Sequence, residues 1–289
     1  MICLCLAIGF GVVSWRRCVV LTLSMLTPLS KTKLSYFRKF QQKKVREEEG
    51  LFIIEGWHLI EEALKASHPL RTLIYDPTAK RDDSENEVLK LALEACDEAY
   101  EADASQLERL SDTKASQGVL ALAAKVGCSF DTLLDRLPSE GSVRLMLLDE
   151  LGDPGNCGSI VRACDWFGLN GVVLGTGCAE LENGKTARST MGGLFHLPIA
   201  VGVDLDSALD RLKQLGVQIF TTELDERAVS LSDFSFPDRC ALVIGNEARG
   251  VSEIVSKKAD GKLFAPKFGE GESLNAAVAA AVFLARWRL

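Results

Sequence analysis

The residues of this 289-residue chain best placed to do chemistry lie in one stretch, residues 147–167. The apolar run Val143–Leu148 is too short for a helix, which favours a buried parallel strand. The polar turn 153–156 follows, and apolar residues then recur at helical spacing. Such a junction leaves unpaired backbone N–H groups where open α/β sheets usually bind ligands. On the new helix, Arg162 lies roughly 160–200° from the apolar stripe, so it need not be buried in the core.

Two later stretches have the same form, a polar and glycine-bearing loop after a short strand. They are residues 242–252, which contain Glu247, and residues 266–275, which contain Ser273 and Asn275. Either loop alone would be a weak signal, because glycine-rich turns after strands are common in α/β proteins. Together with the first stretch, and in this order, they are specific.

With these three motifs the chain resembles the SpoU/TrmH branch of the SPOUT superfamily, the S-adenosylmethionine-dependent RNA ribose 2′-O-methyltransferases. The resemblance covers residues 140–289 and includes residues 188–195. It implies an α/β fold whose C-terminal parallel sheet carries a deep trefoil knot, a homodimer, and S-adenosylmethionine as the cofactor. Residues 31–125 resemble the smaller α/β substrate-binding domain, similar to a ribosomal-protein fold, that often precedes this domain and grips RNA.

The resemblance also implies where the cofactor is held, mostly through backbone groups of the second and third motif loops. The corresponding positions here are Thr221 or Thr222 near the adenosine, Gly245, Ala265 and Leu274. Two positions depart from the family pattern. Ala265 is commonly a larger aliphatic residue, and Lys267 is commonly methionine.

By the same resemblance, the expected catalytic residues are Asn156, Arg162, Glu247, Ser273 and Asn275. A sulfonium methyl is already activated, so the protein must align the ribose hydroxyl and help to remove a proton. A guanidinium stays protonated in proteins, and we therefore favour Arg162 as a phosphate clamp and stabiliser of the developing alkoxide rather than as the base. Glu247 is expected to orient an arginine, either Arg162 or Arg249 from a second subunit. The reaction needs no metal.

Simpler interpretations of these residues remain open. Asn156 and Ser273 could cap helices, and Glu247 could form a surface pair with Arg249. Residues 175–177 suggest a dinucleotide-binding turn, but the third glycine and the following apolar helix of that fingerprint are missing, which argues against an oxidoreductase. A catalytically silent RNA-binding relative of the same fold is the main alternative, although such a relative would be expected to lose motif residues that are all present here.

Charge is distributed unevenly along the chain. The net charge of −7 argues against a general polycation, yet residues 31–49 carry seven basic residues against three acids, and residues 76–112 carry twelve acids against four bases. We predict an exposed basic helix over residues 31–46. Its expected phosphate contacts are Lys31, Lys33, Arg38, Lys39, Lys43 and Lys44. The alternative is that this charged helix is only solvated and binds no phosphate.

The nine cysteines show neither a Cys-x-x-Cys pair nor zinc-ligand spacing, so we expect reduced thiols in a cytoplasmic protein. The three histidines lie far apart in the sequence. We therefore expect them to be structural or surface residues, and we expect no metal site.

The apolar run 2–15 is short for a membrane span, and the arginines follow this run rather than precede it as in a signal peptide. We therefore expect translation to begin at Met25. A weak membrane anchor is the alternative.

Alternating helix and strand patterns predict a mostly parallel sheet covered on both faces. We divide the chain into an extension (1–30), an RNA substrate-binding domain (31–125), a linker (126–141) and a methyltransferase domain (142–289). The last predicted helix begins at Ser273 as N-cap and is apolar on every side. One face can pack on the sheet, and the other is expected to pack on a second subunit.

Overall fold

Two sheets organise the part of the chain that the computed structural model describes, residues 27–113 and 116–289. The interpretations of the apolar run 2–15 and of a start at Met25 fall outside these residues. Within them, no helix is long and apolar enough to cross a bilayer.

The N-terminal domain is built on a mixed five-stranded sheet in the order β1-β4-β3-β5-β2. Strand β5 runs antiparallel to both β2 and β3, whereas β4 pairs in parallel with β1 and β3. Its elements are β1 Thr27–Pro28, α1 Lys31–Arg38, a 3-10 turn Lys39–Gln41, α2 Lys43–Glu49, β2 Leu51–Glu55, α3 Trp57–Lys65, β3 Leu70–Tyr75, α4 Asp83–Ala95, β4 Glu98–Glu101, α5 Ala104–Leu110 and β5 Val119–Ala124.

The C-terminal domain is built on a seven-stranded sheet in the order β10-β12-β9-β11-β6-β7-β8, with every neighbouring pair parallel. Its elements are α6 Phe130–Asp135, β6 Val143–Leu148, α7 Pro154–Trp166, β7 Gly171–Gly175, α8 Gly184–Ser189, a 3-10 turn Gly193–Phe195, β8 Ile199–Val203, α9 Leu205–Gln214, β9 Gln218–Thr222, β10 Val229–Ser230, β11 Arg239–Ile244, α10 Glu253–Lys258, β12 Gly261–Phe264 and α11 Ala276–Arg288. The predicted parallel α/β architecture is confirmed.

The order of these strands fixes the place of a ligand site. From β6 the chain moves outward through β7 and β8, while β11, β9 and β12 lie on the other side of β6. The direction of winding therefore changes between β6 and β11, and open α/β sheets bind ligands at the carboxyl ends of strands at such a switch point. The two predicted motif strands are these two central, buried strands.

Two local predictions were wrong. Residues 31–46 do not form one helix, because α1 ends at Arg38 and the 3-10 turn separates it from α2. The apolar residues of this segment, among them Phe37 and Phe40, are buried under the sheet and require that bend. Helix α11 begins after Asn275, whose side chain caps it, and not after Ser273.

The expected linker contains packed structure. Leu133 of α6 is fully buried against the second sheet, and Cys128 bridges to Ala200 of β8. The domain boundaries and the knot stay predictions.

The six described cysteines are free thiols. Burial raises the pKa of Cys157 to about 12 and that of Cys178 to about 11, so these thiols stay protonated at neutral pH.

Candidate active site

The first motif joins β6 to α7 through a capped turn. Asp153 is the N-cap of α7 and accepts a hydrogen bond from the Asn156 backbone N–H at 2.8 Å. That N–H and the ammonium of Lys185, 3.3 Å away, hold the pKa of Asp153 below its ordinary value. The cap is therefore ionised at neutral pH and orders the first turn of the helix. Asn156 itself is not the cap, so its side chain is free for other contacts.

A hydrogen-bonded chain of side chains connects all three motifs. The amide of Asn156 donates to Glu247 Oε1 at 2.9 Å and accepts from Asn275 Nδ2 at 2.8 Å. Asn275 Oδ1 also accepts from the backbone N–H groups of Ala277 and Val278, which fixes its orientation at the start of α11. Three of the five predicted catalytic residues thus meet at the switch point of the sheet.

The second motif is a tight loop closed on itself and tied to the first. Asn246 and Gly250 exchange backbone hydrogen bonds of 2.9 and 2.8 Å, and the Asn246 amide donates to the Glu150 carbonyl at 2.8 Å. A Cβ at Gly245 would lie 2.2 Å from the carbonyl carbon of Gly250, so the loop requires glycine there. Arg249 pairs with the carboxylate of Glu150 at 2.5 Å.

Within the chain, the carboxylate of Glu247 holds the amide of Asn156 and not the guanidinium of Arg162. The surface pair with Arg249 does not form, because Arg249 binds Glu150. A contact of Glu247 with Arg249 from a second subunit stays a prediction. Sequence reasoning missed Glu150. Its position directly after the first motif strand was a signal, but its left-handed backbone, with φ of 53°, had no counterpart in the sequence pattern.

Arg162 is exposed on α7, as predicted. It lies six residues after Asn156, about 9 Å further along the helix axis. Within the described part of the chain, its guanidinium has no hydrogen-bond or ion-pair partner and can receive an external anion. Ser273 and Leu274 are exposed on the loop before α11, and Ser273 stands outside the hydrogen-bonded chain.

The predicted cofactor positions gather at the carboxyl ends of three neighbouring strands. Thr221 and Thr222 end β9, Gly245 follows β11, and Ala265 follows β12. The Thr222 hydroxyl donates to the Val243 carbonyl at 3.1 Å, which ties β9 to β11. The arrangement offers main-chain groups rather than charged side chains to a ligand.

A charged cluster that the sequence did not reveal steadies the end of β9. The Thr221 hydroxyl donates to Glu223 at 2.6 Å, and Lys262 lies 3.1 Å from the same residue. Lys262 also hydrogen-bonds Asp225 at 2.8 Å and, with the Arg227 backbone N–H, lowers the pKa of Asp225 to about 2.

The six residues predicted to contact phosphates differ in whether their charge is already paired with an acidic side chain. Lys31, Arg38 and Lys39 are exposed and have no acidic partner among the described residues, whereas Lys43 and Lys44 each pair with a glutamate one helical turn away, at 3.7 Å.

Lys33 differs from the other five because it lies over the Tyr100 ring and pairs with Glu98 at 3.2 Å. Arg46 is buried and binds both oxygens of Glu180 in the C-terminal domain. Among the described residues, the unpaired cations of this segment therefore lie at the start of α1, at Lys31, and at its end, at Arg38 and Lys39.

One group of potential metal ligands occurs within the described ranges, namely His58, Glu61 and Glu62. The ammonium of Lys65 lies 2.9 Å from Glu61 and 2.8 Å from Glu62. These carboxylates therefore already share a cation.

Two family models match the chain. The SpoU rRNA methylase family matches residues 144–285, and the MRM3-like substrate-binding domain matches residues 31–121. A 23S rRNA (guanosine(2553)-2′-O)-methyltransferase, RlmP of Bacillus subtilis, is 34% identical over 87% of this chain and 94% of its own length. The chain belongs to the SpoU rRNA methylase family. The resemblance on which the sequence predictions rested is confirmed.

Solved structures of SpoU-family proteins agree with this membership. The SpoU methyltransferase AviRb of Streptomyces viridochromogenes, solved with AdoMet, superposes with a TM-score of 0.77 at 27% identity and covers 89% of this chain and 97% of its own. An AdoMet-bound rRNA methyltransferase of Sinorhizobium meliloti gives a TM-score of 0.78 at 25% identity, with 90% and 95% coverage. Both similarities span the two sheets.

Proposed function

We propose that this protein transfers a methyl group from S-adenosylmethionine to a ribose 2′-hydroxyl of structured RNA, either ribosomal or transfer RNA. The observation that carries the proposal is the chain from Glu247 through Asn156 to Asn275, with the unpaired Arg162 on the same helix as Asn156. The 2′-O-methyltransferase relative and the AdoMet-bound neighbours support it.

The residues at the strand ends fit this cofactor. When bound, S-adenosylmethionine supplies a methyl group activated by the sulfonium. The loop closed at Gly245 offers main-chain N–H and C=O groups, and the exposed Leu274 offers an apolar contact. Thr221, Thr222 and Ala265 complete the proposed cofactor set. The reaction requires no metal, because the leaving group is already activated.

Arg162 acts on the substrate side of the proposed site. A guanidinium binds a phosphate at two points and stabilises negative charge that develops on the ribose oxygen. Asn156, held between Glu247 and Asn275, is a fixed amide on the same helix, and we assign the exposed Ser273 to a contact with the same nucleotide. Proton removal is assigned to no single residue.

Methyl transfer from labelled S-adenosylmethionine into unmodified ribosomal RNA and transfer RNA tests this function. We expect label in one of the two RNA classes, and the labelled class identifies the substrate. Cofactor binding without transfer to either RNA would favour the catalytically silent alternative. Absence of cofactor binding would contradict the proposed site.

We also propose that the enzyme is a homodimer joined through α7 and α11. Val278 and Val282 of α11 are 51% and 41% exposed. With Ala163 of α7 and Phe167, the residue that caps the end of α7, they line an apolar groove of about 700 Å³. Burying these side chains against a second copy would remove them from water, as the apolar periphery of α11 led us to expect. We likewise propose that the C-terminal domain contains a trefoil knot and that the protein is cytoplasmic.

The substitution Val282→Asp is expected to convert the dimer to a monomer, because it places a charge in the apolar groove. Light scattering at micromolar concentration measures the change. Leu215→Asp, at an exposed leucine after α9, is the matched control and should leave the mass unchanged. A wild-type monomer under these conditions would contradict the dimer.

RNA binding should depend on the unpaired cations of α1 and the turn after it. Replacing Lys31, Arg38 and Lys39 by glutamine is expected to weaken binding and to reduce the slope of log K against log salt by about one for each phosphate that the variant no longer binds. The matched variant, Lys43→Gln with Lys44→Gln, should have a smaller effect, because those two charges are already paired. An unchanged slope in the triple variant would mean that this helix is only solvated.

A further inference from the structure

His196 connects the two domains through both of its ring nitrogens. Nδ1 lies 2.9 Å from Asp165 Oδ2 on α7, and Nε2 lies 3.1 Å from Glu62 Oε2 on α3. The side chains of Glu62 and Asp165 are 13% and 32% exposed, so both contacts are partly shielded from water. Each ring nitrogen of His196 therefore faces a carboxylate oxygen at hydrogen-bond distance, one on each helix.

The segment around His196 is wedged between these two helices. Gly192 has φ of 94°, and a Cβ there would lie 2.6 Å from Glu62 Cγ. A Cβ at Gly193 would lie 3.2 Å from Asp165 Cβ and 3.5 Å from Arg162 Cα. The backbone therefore passes close enough to α3 and α7 for a single side chain to bridge them.

The charged groups around His196 come from both packed helices. Helix α3 presents His58, Glu61, Glu62 and Lys65, and α7 presents Asp165 and Arg162. Burial acts to raise the pKa of Glu62, but its hydrogen bond with Lys65 and the two nearby histidines lower it below its ordinary value overall. Glu62 is therefore ionised at neutral pH and able to bind the imidazole.

Among the described residues, three other ion pairs join the domains. Arg46 binds Glu180, Arg188 pairs with Glu55 at 3.3 Å, and Lys125 pairs with Glu182 at 4.0 Å. None of these pairs involves α7. The His196 bridge reaches Asp165, which lies one helical turn from Arg162, so it joins the substrate-binding domain directly to the helix that carries the proposed phosphate clamp.

We propose that His196 is a positioning residue that fixes the orientation of the N-terminal domain relative to α7, so that one RNA can contact both. This inference rests on the proposed function and extends it. An RNA held by the cations of α1 and by Arg162 is bound at two linked sites. Once the cations of α1 hold the RNA, its binding to Arg162 depends on the effective concentration of the RNA at that residue, which the orientation of the two domains sets. Loosening the bridge lowers that effective concentration without altering the cofactor loops.

Steady-state methylation of the RNA class that the labelling experiment identifies, transcribed in vitro, tests the bridge with His196→Ala, Asp165→Asn and the double variant. Each single change is expected to raise the KM for RNA by about fivefold, and the double variant by clearly less than the product of the two, because partners in contact do not add. The turnover number and the affinity for S-adenosylmethionine should stay within about twofold of wild type, because neither the reacting groups nor the cofactor loops are changed. Asp131→Asn is the matched control for Asp165→Asn, because Asp131 is exposed and pairs with Arg211 at 2.6 Å within the C-terminal domain, and its KM should be unchanged.

Four results would overturn the inference. They are an unchanged KM for RNA, a fall in turnover with KM unchanged, a double variant whose effect equals the product of the single effects, and a loss of S-adenosylmethionine affinity, which would indicate general damage to the fold. Failure of the wild-type chain to methylate any RNA would contradict the proposed function itself, and the inference with it.

Discussion

Replacing Arg162 by alanine is expected to lower kcat/KM for RNA methylation by at least about 100-fold, because electrostatic groups aimed at developing charge are usually worth that much. The affinity for S-adenosylmethionine should stay within about twofold, since the proposed cofactor positions lie on β9, β11, β12 and the loop before α11 rather than on α7. Kinetics with limiting RNA and calorimetry with the cofactor measure the two quantities separately.

Arg162→Lys separates the proposed role of the side chain from its charge. Lysine keeps the positive charge but loses the planar two-point geometry, so we expect the activity to remain well below that of wild type. Arg211→Lys is the matched control, because Arg211 lies on α9 in an exposed pair with Asp131 at 2.6 Å, and it should have no effect. Near-normal turnover by Arg162→Lys would contradict two-point recognition.

Gly245→Ala is expected to abolish measurable binding of S-adenosylmethionine. The added Cβ would lie 2.2 to 2.4 Å from main-chain atoms of Gly250 and Val251, and main chain cannot move aside as a flexible side chain can. The loop must therefore open, which displaces the main-chain groups proposed to hold the cofactor. Isothermal titration with the cofactor measures the change in affinity.

Gly152→Ala is the control for this substitution. Gly152 also lies in a motif loop, but a Cβ there would meet nothing within 4 Å, so cofactor binding should be retained. Thermal melting of both variants distinguishes a local change from unfolding. Cofactor affinity near that of wild type in Gly245→Ala would show that the second motif loop does not form the cofactor site.

The sequence predicted the elements that carry the site better than the contacts between them. The bounds of β6 were predicted correctly, because a short apolar run closed by polar residues has few alternatives in a parallel sheet. The N-cap of α11 was assigned to Ser273 because serine is a good N-cap. The N-cap is Asn275, two residues later, and its side chain is also held by a hydrogen bond to Asn156.

Contacts between distant residues could not be obtained from local patterns. Arg46 lies in a basic segment that suggested an exposed helix, yet its guanidinium binds Glu180, 134 residues further along the chain. The hydrogen bond within the chain between Glu247 and the amide of Asn156, 91 residues earlier, was likewise not indicated by the sequence. Both pairings depend on how the sheets pack, and local charge or spacing does not encode that packing.

The most direct test of the proposed chemistry is the position of the transferred methyl group. RNA methylated with labelled S-adenosylmethionine is digested to nucleosides, which are separated and identified by mass. We expect the label in a 2′-O-methyl nucleoside, and we expect its initial rate of incorporation to fall by at least about 100-fold when Arg162 is replaced by alanine. Label on a base would contradict ribose methylation, and a rate near that of wild type in the Arg162→Ala variant would contradict the proposed role of that residue.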